Sequence, residues 1–427
     1  MAKQRVKQKV KEQVKELGKK RVRIVGAGLA GLTLGRTLLQ RGVPAVLYDR
    51  RPEARRHGYA VTLHEPAYRP LLDLLGLDLE TFRHRVAVDA RHGHRGTGRI
   101  DPALLVRRAP GVDYATSFRA NRHNLVKLLA EDLDIRHGDE VESVSPGTAP
   151  GLVALHMEGA AAPNLVGLNS YYKMMRIPYQ VPPPFSLQTD CLVGADGALS
   201  AVRRALAPDT PVGILPYVVY SGWRRLTQKQ FNDHCAPAMQ GSTVIETRTG
   251  GGEAGGAVLS VTVNDAHTGA LDVGWAYSRP VRGGAADPLH MPNREVDEAK
   301  HVPKALYEEL GALGELEQPF RYMLDPELTK VDGHALHWLM RTALVDSEDL
   351  YALAGTGAFL VGDAAHAQPI LGGEGALSAI TDAVGLGNCI ADHGPSGIPA
   401  WYDTRYDEWE AGVRNSVKAI REIHGGR

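Results

Sequence analysis

Three glycines and one aspartate near the start of the chain have the spacing of a phosphate-binding turn. Gly26, Gly28 and Gly31 form G-x-G-x-x-G, and Asp49 follows 23 residues after the first of them. Glycine permits a tight turn, lets a backbone approach a phosphate closely and lets a helix pack against a strand. An acidic residue about 20 positions later accepts hydrogen bonds from ribose hydroxyls. The set therefore predicts binding of an adenine dinucleotide.

The elements that must position these residues follow in the required order. An apolar run over Val22–Val25 is typical of a buried strand, and leucines at helical spacing begin at Leu29. A second strand is predicted in "PAVLYDRR", and it ends at Asp49. G-x-G-x-x-G alone is a weak signal because glycine-rich turns are common, and a tight turn without a ligand is the alternative. The strand–turn–helix–strand order is the context that the motif requires.

Two further segments repeat the pattern of an apolar strand that ends in a glycine-rich loop. The first, "TDCLVGADGALSAVRRAL", carries Asp196 and Arg203, and the second, "GAFLVGDAAHAQPILGGEGALSAI", carries Asp363. A carboxylate at a strand end can accept hydrogen bonds from a polyol. A helix from about Ala376 would point its positive N-terminus at charge that develops on a bound ring. Taken alone, an aspartate at the position of Asp363 more often caps a helix, and a histidine at the position of His366 is more often a hydrogen-bonded loop residue without a functional role.

Together the three motifs resemble the FAD-dependent monooxygenases of the para-hydroxybenzoate hydroxylase type, the group A flavoprotein monooxygenases. "RHNLVKLLAE", which begins at Arg122, adds to the resemblance, which covers roughly residues 22–425. It implies an α/β fold: a Rossmann-like FAD-binding domain with an inserted antiparallel-sheet substrate domain and C-terminal helices. The expected divisions are a basic leader (1–20), the FAD-binding domain (21–206), a mainly β substrate domain (207–340), and the completion of the FAD-binding domain with a C-terminal helix (341–427).

The resemblance also implies a set of cofactor contacts. The residues to which it assigns FAD or coenzyme binding are Gly26, Gly28, Gly31, Asp49, Arg122, Asp196, Arg203, Gly362, Asp363, Gly373 and Gly375. Asp49 would hold the adenosine ribose and Asp363 the ribityl chain. Arg203 would help to receive a nicotinamide coenzyme at a site that Asp196 shares with FAD. The chain departs from the family at Leu377, where many members have asparagine.

The middle of the chain alternates apolar and polar residues, which predicts antiparallel strands. Trp223 and Arg224 match a place where the family often has an aromatic residue and an arginine facing the substrate. Arg224 is therefore the candidate catalytic residue, able to bind an anionic or phenolic oxygen or to orient the distal oxygen of a flavin hydroperoxide. The alternative is a strand-end arginine paired with surface acids. Tyr217, Tyr220 and Trp275 are expected in the core of the sheet.

The activity that the resemblance implies is that of an aromatic monooxygenase. NADPH or NADH would reduce FAD at a transient site, and O₂ would form a flavin 4a-hydroperoxide that hydroxylates or epoxidises an aromatic or heteroaromatic small molecule, such as an indole of secondary metabolism. Two alternatives stay open: an oxidase, dehydrogenase or reductase on the same scaffold, and a non-catalytic FAD-binding interaction protein. The sequence leaves the coenzyme, the substrate, the regiochemistry and the oligomeric state undecided.

Composition restricts the partners and the location. Basic and acidic residues both number 49, so the formal net charge is zero, which argues against a nucleic-acid partner. The three cysteines are odd in number and without metal-ligand spacing, so we expect no metal site and a reducing, cytoplasmic location. No run approaches the ~20 apolar residues of a membrane span. The leader has only a thin apolar stripe, which favours a solvated segment over a membrane-surface helix.

Overall fold

The structure, a computed structural model, describes residues 22–52, 59–90, 96–106, 112–157, 186–250, 256–372 and 374–425. The predicted leader and Gly373 lie outside the described residues. The described strands, in chain order, are β1 (Val22–Val25), β2 (Ala45–Asp49), β3 (Ala60–Leu63), β4 (Phe118–Asn121), β5 (Ile135–His137), β6 (Val141–Pro146), β7 (Val153–Met157), β8 (Ser186–Thr189), β9 (Leu192–Gly194), β10 (Val212–Ile214), β11 (Tyr217–Thr227), β12 (Val244–Arg248), β13 (Val258–His267), β14 (Ala270–Pro280), β15 (Leu336–His337), β16 (Arg341–Ala343) and β17 (Ala358–Leu360).

Helices alternate with the parallel strands and cover the antiparallel ones. The described α-helices are α1 (Leu29–Gln40), α2 (Glu65–Leu75), α3 (Leu79–Val86), α4 (Arg122–Ala130), α5 (Ala201–Leu206), α6 (Gln228–His234), α7 (Ala236–Met239), α8 (Lys304–Gly311), α9 (Phe320–Met323), α10 (Pro326–Asp332), α11 (Ser347–Gly355), α12 (Gly375–His393) and α13 (Ile398–Ile423). Among the helices that the structure describes, none is long and apolar enough to cross a lipid bilayer.

The first sheet is parallel and has the strand order β17-β9-β1-β2-β5. The chain moves outward from β1 through β2 to β5, then returns to the other side of β1 with β9 and β17. The strand order therefore reverses between β1 and β9. In open α/β sheets, ligands bind outside the carboxyl ends of the strands at such a reversal. The first and second glycine motifs follow β1 and β9, so both open onto this point.

The second sheet is antiparallel, with the order β12-β13-β14-β11-β15. On one side, which we call the back face, Tyr220, Trp275 and Val261 pack into an apolar core with the helices that follow the sheet. Their neighbours along each strand point to the opposite side, the front face, because side chains alternate along a strand. Tyr220 and Trp275 are core residues, as the sequence predicts, and Tyr217 is partly buried.

Several contacts join the second sheet to the layer that carries the first sheet and the three glycine motifs. We call it the FAD-side layer, because the resemblance places FAD there. The Arg248 guanidinium donates to the carbonyl oxygens of Glu422 and Ile423 at the end of α13. Asn121, at the end of β4, donates from Nδ2 to the carbonyl oxygen of Asn264 on β13 at 2.9 Å. The front face of the second sheet is thus directed toward the FAD-side layer. The short β3–β4 ribbon lies between the two layers.

Candidate active site

The first glycine motif forms a turn that only small residues can occupy. Gly26 has a φ of +103°, and a Cβ there would lie 2.5 Å from the Ala195 carbonyl oxygen. A Cβ on Gly31 would lie 1.9 Å from the Gly26 carbonyl oxygen. A Cβ on Gly28 meets nothing within 4 Å, because that position faces the open cleft at the start of α1. Two of the glycines therefore serve the fold of the turn, and the third keeps space free for a ligand.

Asp49 is held at the end of β2 by the same turn. One carboxylate oxygen accepts from the Ala27 amide at 2.9 Å and the other from the Arg51 amide at 2.8 Å. The carboxylate thereby faces the cavity that Gly28 borders. Carboxylates have about four lone-pair sites, so acceptor capacity is left for ribose hydroxyls. That role stays a prediction.

The second motif places Asp196 in the cleft and Arg203 behind it. Asp196 Oδ2 accepts from the Ala201 amide at 2.6 Å, whereas Oδ1 is buried and has no hydrogen-bond partner among the described residues. Burial raises the pKa of Asp196. Arg203 is 2% exposed and donates to the carbonyl oxygens of Asp363, Ala364 and Ala198.

Arg203 thus joins the second motif to the third. It does not reach the cavity, whereas its neighbour Arg204 is exposed and lines it. The structure does not bring Arg203 to the place where the resemblance puts a coenzyme contact. Two adjacent arginines in "AVRRAL" cannot be told apart from sequence, because their exposure depends on the rotation of α5.

The third motif brings Asp363 and the start of α12 to the same cavity. Gly362 has a φ of +60° and packs against Ala30 of α1. Burial raises the pKa of Asp363 to about 6, although the nearby guanidinium groups of Arg203 and Arg122 oppose this shift. Gly375 is the first residue of α12 and lines the cavity, so the positive end of the helix dipole points into it.

The three motifs meet in one cavity of about 540 Å³. Arg122, from the start of α4, lines it together with Tyr59, and its guanidinium carbon lies 5.4 Å from the Tyr59 ring centre. Arg122 Nη1 is buried without a hydrogen-bond partner among the described residues. Arg122 and Asp196, each with one buried polar atom that lacks a partner among the described residues, both line this cavity. Both fit a ligand that carries anionic and hydroxyl groups.

His366 anchors the third motif to the C-terminal helices. Its Nε2 lies 2.6 Å from Asp382 Oδ2, and the two side chains are 1% and 0% exposed. Asp382 Oδ1 also accepts from Trp409 Nε1 at 3.0 Å and from Arg405. The imidazole stacks on the Trp409 indole, with the ring centres 4.4 Å apart. His366 is therefore a buried structural histidine held through Nε2, although its Nδ1 has no hydrogen-bond partner among the described residues.

Arg224 does not face the cleft, which corrects the expectation that it contacts substrate. It lies on the back face, where Nε donates to Asp332 Oδ2 at 2.6 Å and Nη1 to the Tyr322 carbonyl oxygen at 2.8 Å. Its guanidinium carbon lies 5.2 Å from the Tyr322 ring centre. The physical reason is strand alternation: Arg224 and Trp223 are adjacent in β11, so only one of them can face the FAD side. That residue is Trp223.

The front face carries a row of small and polar side chains that the sequence does not reveal. Glu246, Ser260, Ala276 and Ser221 lie directly opposite one another across β12, β13, β14 and β11. All four are partly exposed in the interior of the sheet, whereas the back face is buried. Space is therefore left between the front face and the FAD-side layer.

Aromatic side chains connect this space with the cavity. Trp338 Nε1 donates to Ser221 Oγ at 2.7 Å. The Trp338 ring meets Tyr59 edge to face, with the ring centres 6.0 Å apart. Tyr59 itself lines the cavity. A ring bound at the front face would thus lie beside whatever fills the cavity.

One group of metal-binding residue types occurs in the described part of the chain: Asp265, His267 and Asp272. The Arg225 guanidinium donates to Asp272 at 2.7 Å and lies 3.2 Å from His267 Nε2. A guanidinium therefore already provides the positive charge that this acidic pair requires.

Comparison with known proteins identifies the family. Residues 19–147 match the family described as FAD binding domain. The chain is 32% identical over 421 residues to the FAD-dependent monooxygenase nscC of Aspergillus fumigatus, and the match covers 94% of each chain. The chain belongs to the FAD-dependent monooxygenases.

Solved structures share the fold of this FAD-dependent monooxygenase. 2,6-Dihydroxypyridine-3-hydroxylase from Arthrobacter nicotinovorans superposes with a TM-score of 0.63 at 17% identity, over 96% of this chain and 94% of its own. CtdE in complex with FAD and substrate 4 superposes with a TM-score of 0.63 at 15% identity, over 95% of this chain and 90% of its own. The predicted α/β fold of the para-hydroxybenzoate hydroxylase type is confirmed.

The residues of the monooxygenase fit FAD. Gly28 leaves space at the positive end of α1, where a pyrophosphate is favoured, and the polar groups of Arg122 and Asp196 face the same cavity. The chain is an FAD-dependent enzyme, as its sequence predicts. The sequence does not reveal that Tyr59 and Arg204 line this cavity, or that Trp338 connects it with the front-face row. Only the strand register and the helix rotation bring them there.

Proposed function

We propose that this monooxygenase uses NADPH or NADH and O₂ to transfer one oxygen atom to an aromatic or heteroaromatic small molecule. The observation that carries the proposal is the front face. A row of small and polar side chains is left partly exposed on this face, and Trp338 and Tyr59 connect one end of it with the cofactor cavity. Trp338, beside this face, offers an aromatic surface for stacking a ring, whereas the Trp223 indole on this face already stacks on His334, with the ring centres 4.4 Å apart.

The residues of the chain serve this reaction by binding and by excluding water. When bound and reduced, FAD supplies the activation of O₂ by the route that the resemblance implies. Trp338 and Tyr59 border the junction between the front face and the cofactor cavity with apolar ring surface. The α12 N-terminus at Gly375 favours negative charge on the reduced ring. These features support oxygen transfer in a partly dry site.

The test is coenzyme oxidation by the FAD-reconstituted protein, measured with NADPH and with NADH in the presence of naphthols and indoles. We expect oxidation to accelerate only when a ring compound is present, with little free hydrogen peroxide. Rapid oxidation without a ring compound, with stoichiometric peroxide, would indicate the oxidase or reductase alternative. A protein that holds FAD but oxidises no coenzyme with any ring would indicate the non-catalytic alternative. The cytoplasmic location and the indole-like substrate stay predictions.

A further inference from the structure

The β3–β4 ribbon presents an arginine toward the second sheet. Arg119 on β4 lies opposite Thr62 on β3, and it shares its face of the ribbon with Asn121. Asn121 reaches β13 through its hydrogen bond to the Asn264 carbonyl oxygen. The Arg119 side chain is therefore directed into the region between the ribbon and the front face.

The hydrogen bonds of Arg119 are incomplete. Nη1 donates to Thr62 Oγ1 at 3.4 Å, which is long for such a bond. Nε is buried and has no partner within the described ranges, and no described carboxylate forms an ion pair with the guanidinium. Burial lowers the pKa of Arg119 to about 10, although the negative charge of Glu246 opposes this shift.

Two buried arginines of the described chain, Arg279 and Arg203, have more complete sets of partners. Arg279 lies 2.6 Å from Asp287 and 2.6 Å from Glu309. Arg203 donates to three carbonyl oxygens. Arg119 is partly buried, and within the described part of the chain its guanidinium has only the long bond to Thr62, so it keeps donors that a ligand could use. Its donors are those of a residue that completes its bonds with a ligand.

Arg119 lies near one end of the front-face row. The Arg119 amide donates to the Gly98 carbonyl oxygen, which Thr243 next to β12 also contacts, so Arg119 lies at the β12 end. Trp338 contacts Ser221 at the β11 end. Three strand spacings separate Glu246 from Ser221, which corresponds to about 14 Å. The row thus has a charged end and an aromatic end, and it is longer than a single benzene ring.

We propose that Arg119 is the specificity-determining residue that binds an acidic oxygen, a carboxylate or an ionisable phenol, on the end of the substrate remote from Trp338. The inference rests on the proposed function, because it assumes that a ring compound occupies the front face. A guanidinium binds such oxygens with charge-assisted hydrogen bonds and retains its charge when buried. The substrate class is therefore an extended aromatic compound with an acidic group at one end.

The test compares Arg119→Gln and Arg119→Lys in the FAD-loaded protein, with 3-hydroxy-2-naphthoate and its methyl ester as probes. Dissociation constants come from the perturbation of the flavin absorbance. We expect Arg119→Gln to weaken naphthoate binding by about tenfold or more, the loss of a charge-assisted hydrogen bond. Ester binding should change less than about twofold, and Arg119→Lys should restore part of the affinity.

The control is Arg225→Gln, which removes an exposed arginine of β11 that pairs with Asp272. It should leave both dissociation constants unchanged, and all variants should retain FAD. Equal weakening of acid and ester in Arg119→Gln, or no weakening of either, would overturn the inference. Wild-type protein that binds the ester as tightly as the acid overturns the inference alone. Wild-type protein that binds no ring compound overturns the proposed function and the inference with it.

Discussion

The cofactor cleft and the front face differ in how the chain builds them. The cleft consists of three short segments in which the functional residues are sequence neighbours, and the backbone does much of the binding. The front face consists of single side chains from four strands, such as Glu246 and Ser221, brought together by register. A cofactor shared by a whole family can be held by glycines and helix ends, whereas a substrate is distinguished by side chains.

The largest expected effect separates the two kinds of glycine in the cleft. Gly31→Ala forces a Cβ against a carbonyl oxygen at 1.9 Å, so we expect a loss of roughly 3 kcal/mol or more in the free energy of unfolding, and loss of FAD. Gly28→Ala should keep the wild-type stability but bind FAD more weakly, because its Cβ enters only the ligand space. Chemical denaturation of the apoproteins and flavin content after purification measure both. Equal stability of the two variants would contradict this distinction.

Substitution of Arg203 tests whether this residue contacts the coenzyme or stabilises the fold by joining the second and third motifs. Arg203→Met leaves three carbonyl oxygens without their donor, and we expect it to lower the free energy of unfolding by about 3 kcal/mol. Arg204→Met, at an exposed position, should change it by less than about 0.5 kcal/mol. Thermal denaturation compares the two. An Arg203→Met protein of normal stability with a raised KM for the coenzyme would restore the coenzyme contact that the resemblance implies.

The two faces of the second sheet should respond differently to added volume. Gly222→Ala places a Cβ 2.6 Å from the Trp275 ring on the filled back face, so we expect a loss of about 1–3 kcal/mol in stability. Ala276→Leu on the front face should leave stability nearly unchanged and raise the KM for a ring substrate by about tenfold, since it occupies substrate space. Melting temperatures and steady-state kinetics report on each. A strongly destabilised Ala276→Leu protein would show that the front face is already filled.

Replacement of Asp363 by asparagine gives the smallest expected effect on the free energy of unfolding, and this effect depends on pH. The Asp363 pKa of about 6 lies above the ordinary 3.8, so its contribution to stability is complete below about pH 4 and is lost as the pH rises through about 6. Asp363→Asn should therefore stabilise the apoprotein by about 1–2 kcal/mol at pH 7.5, after allowance for solvent screening, while FAD binding weakens. Denaturation of both apoproteins between pH 4 and pH 8 checks this. A stability difference that does not change with pH would show that the carboxylate is not held against its charge.

Sequence analysis predicted the cleft well because its signals are local. Asp49 ends β2, and Gly26, Gly28 and Asp363 lie within three residues of a strand end, so the strands place all four at the same sheet edge. The adenine dinucleotide followed from the first motif, and the resemblance carried by all three motifs implied the fold class and FAD.

The front face could not be predicted in the same way. Arg224 and Trp223 are adjacent, and which of them faces the FAD side depends on the parity of β11, since a shift of one residue exchanges the two faces. Arg119 was not singled out because nothing in its local sequence marks it as buried. Its significance appears only when its missing partners are compared with the complete bonds of Arg279.

The central claim is oxygen transfer to a ring, and isotope labelling tests it most directly. The FAD-loaded protein is supplied with NADPH and a ring compound that accelerates coenzyme oxidation, under ¹⁸O₂ in ordinary water, and the product is analysed by mass spectrometry. We expect a product that carries one ¹⁸O atom. An unlabelled product, or substrate recovered unchanged beside labelled hydrogen peroxide, would contradict it.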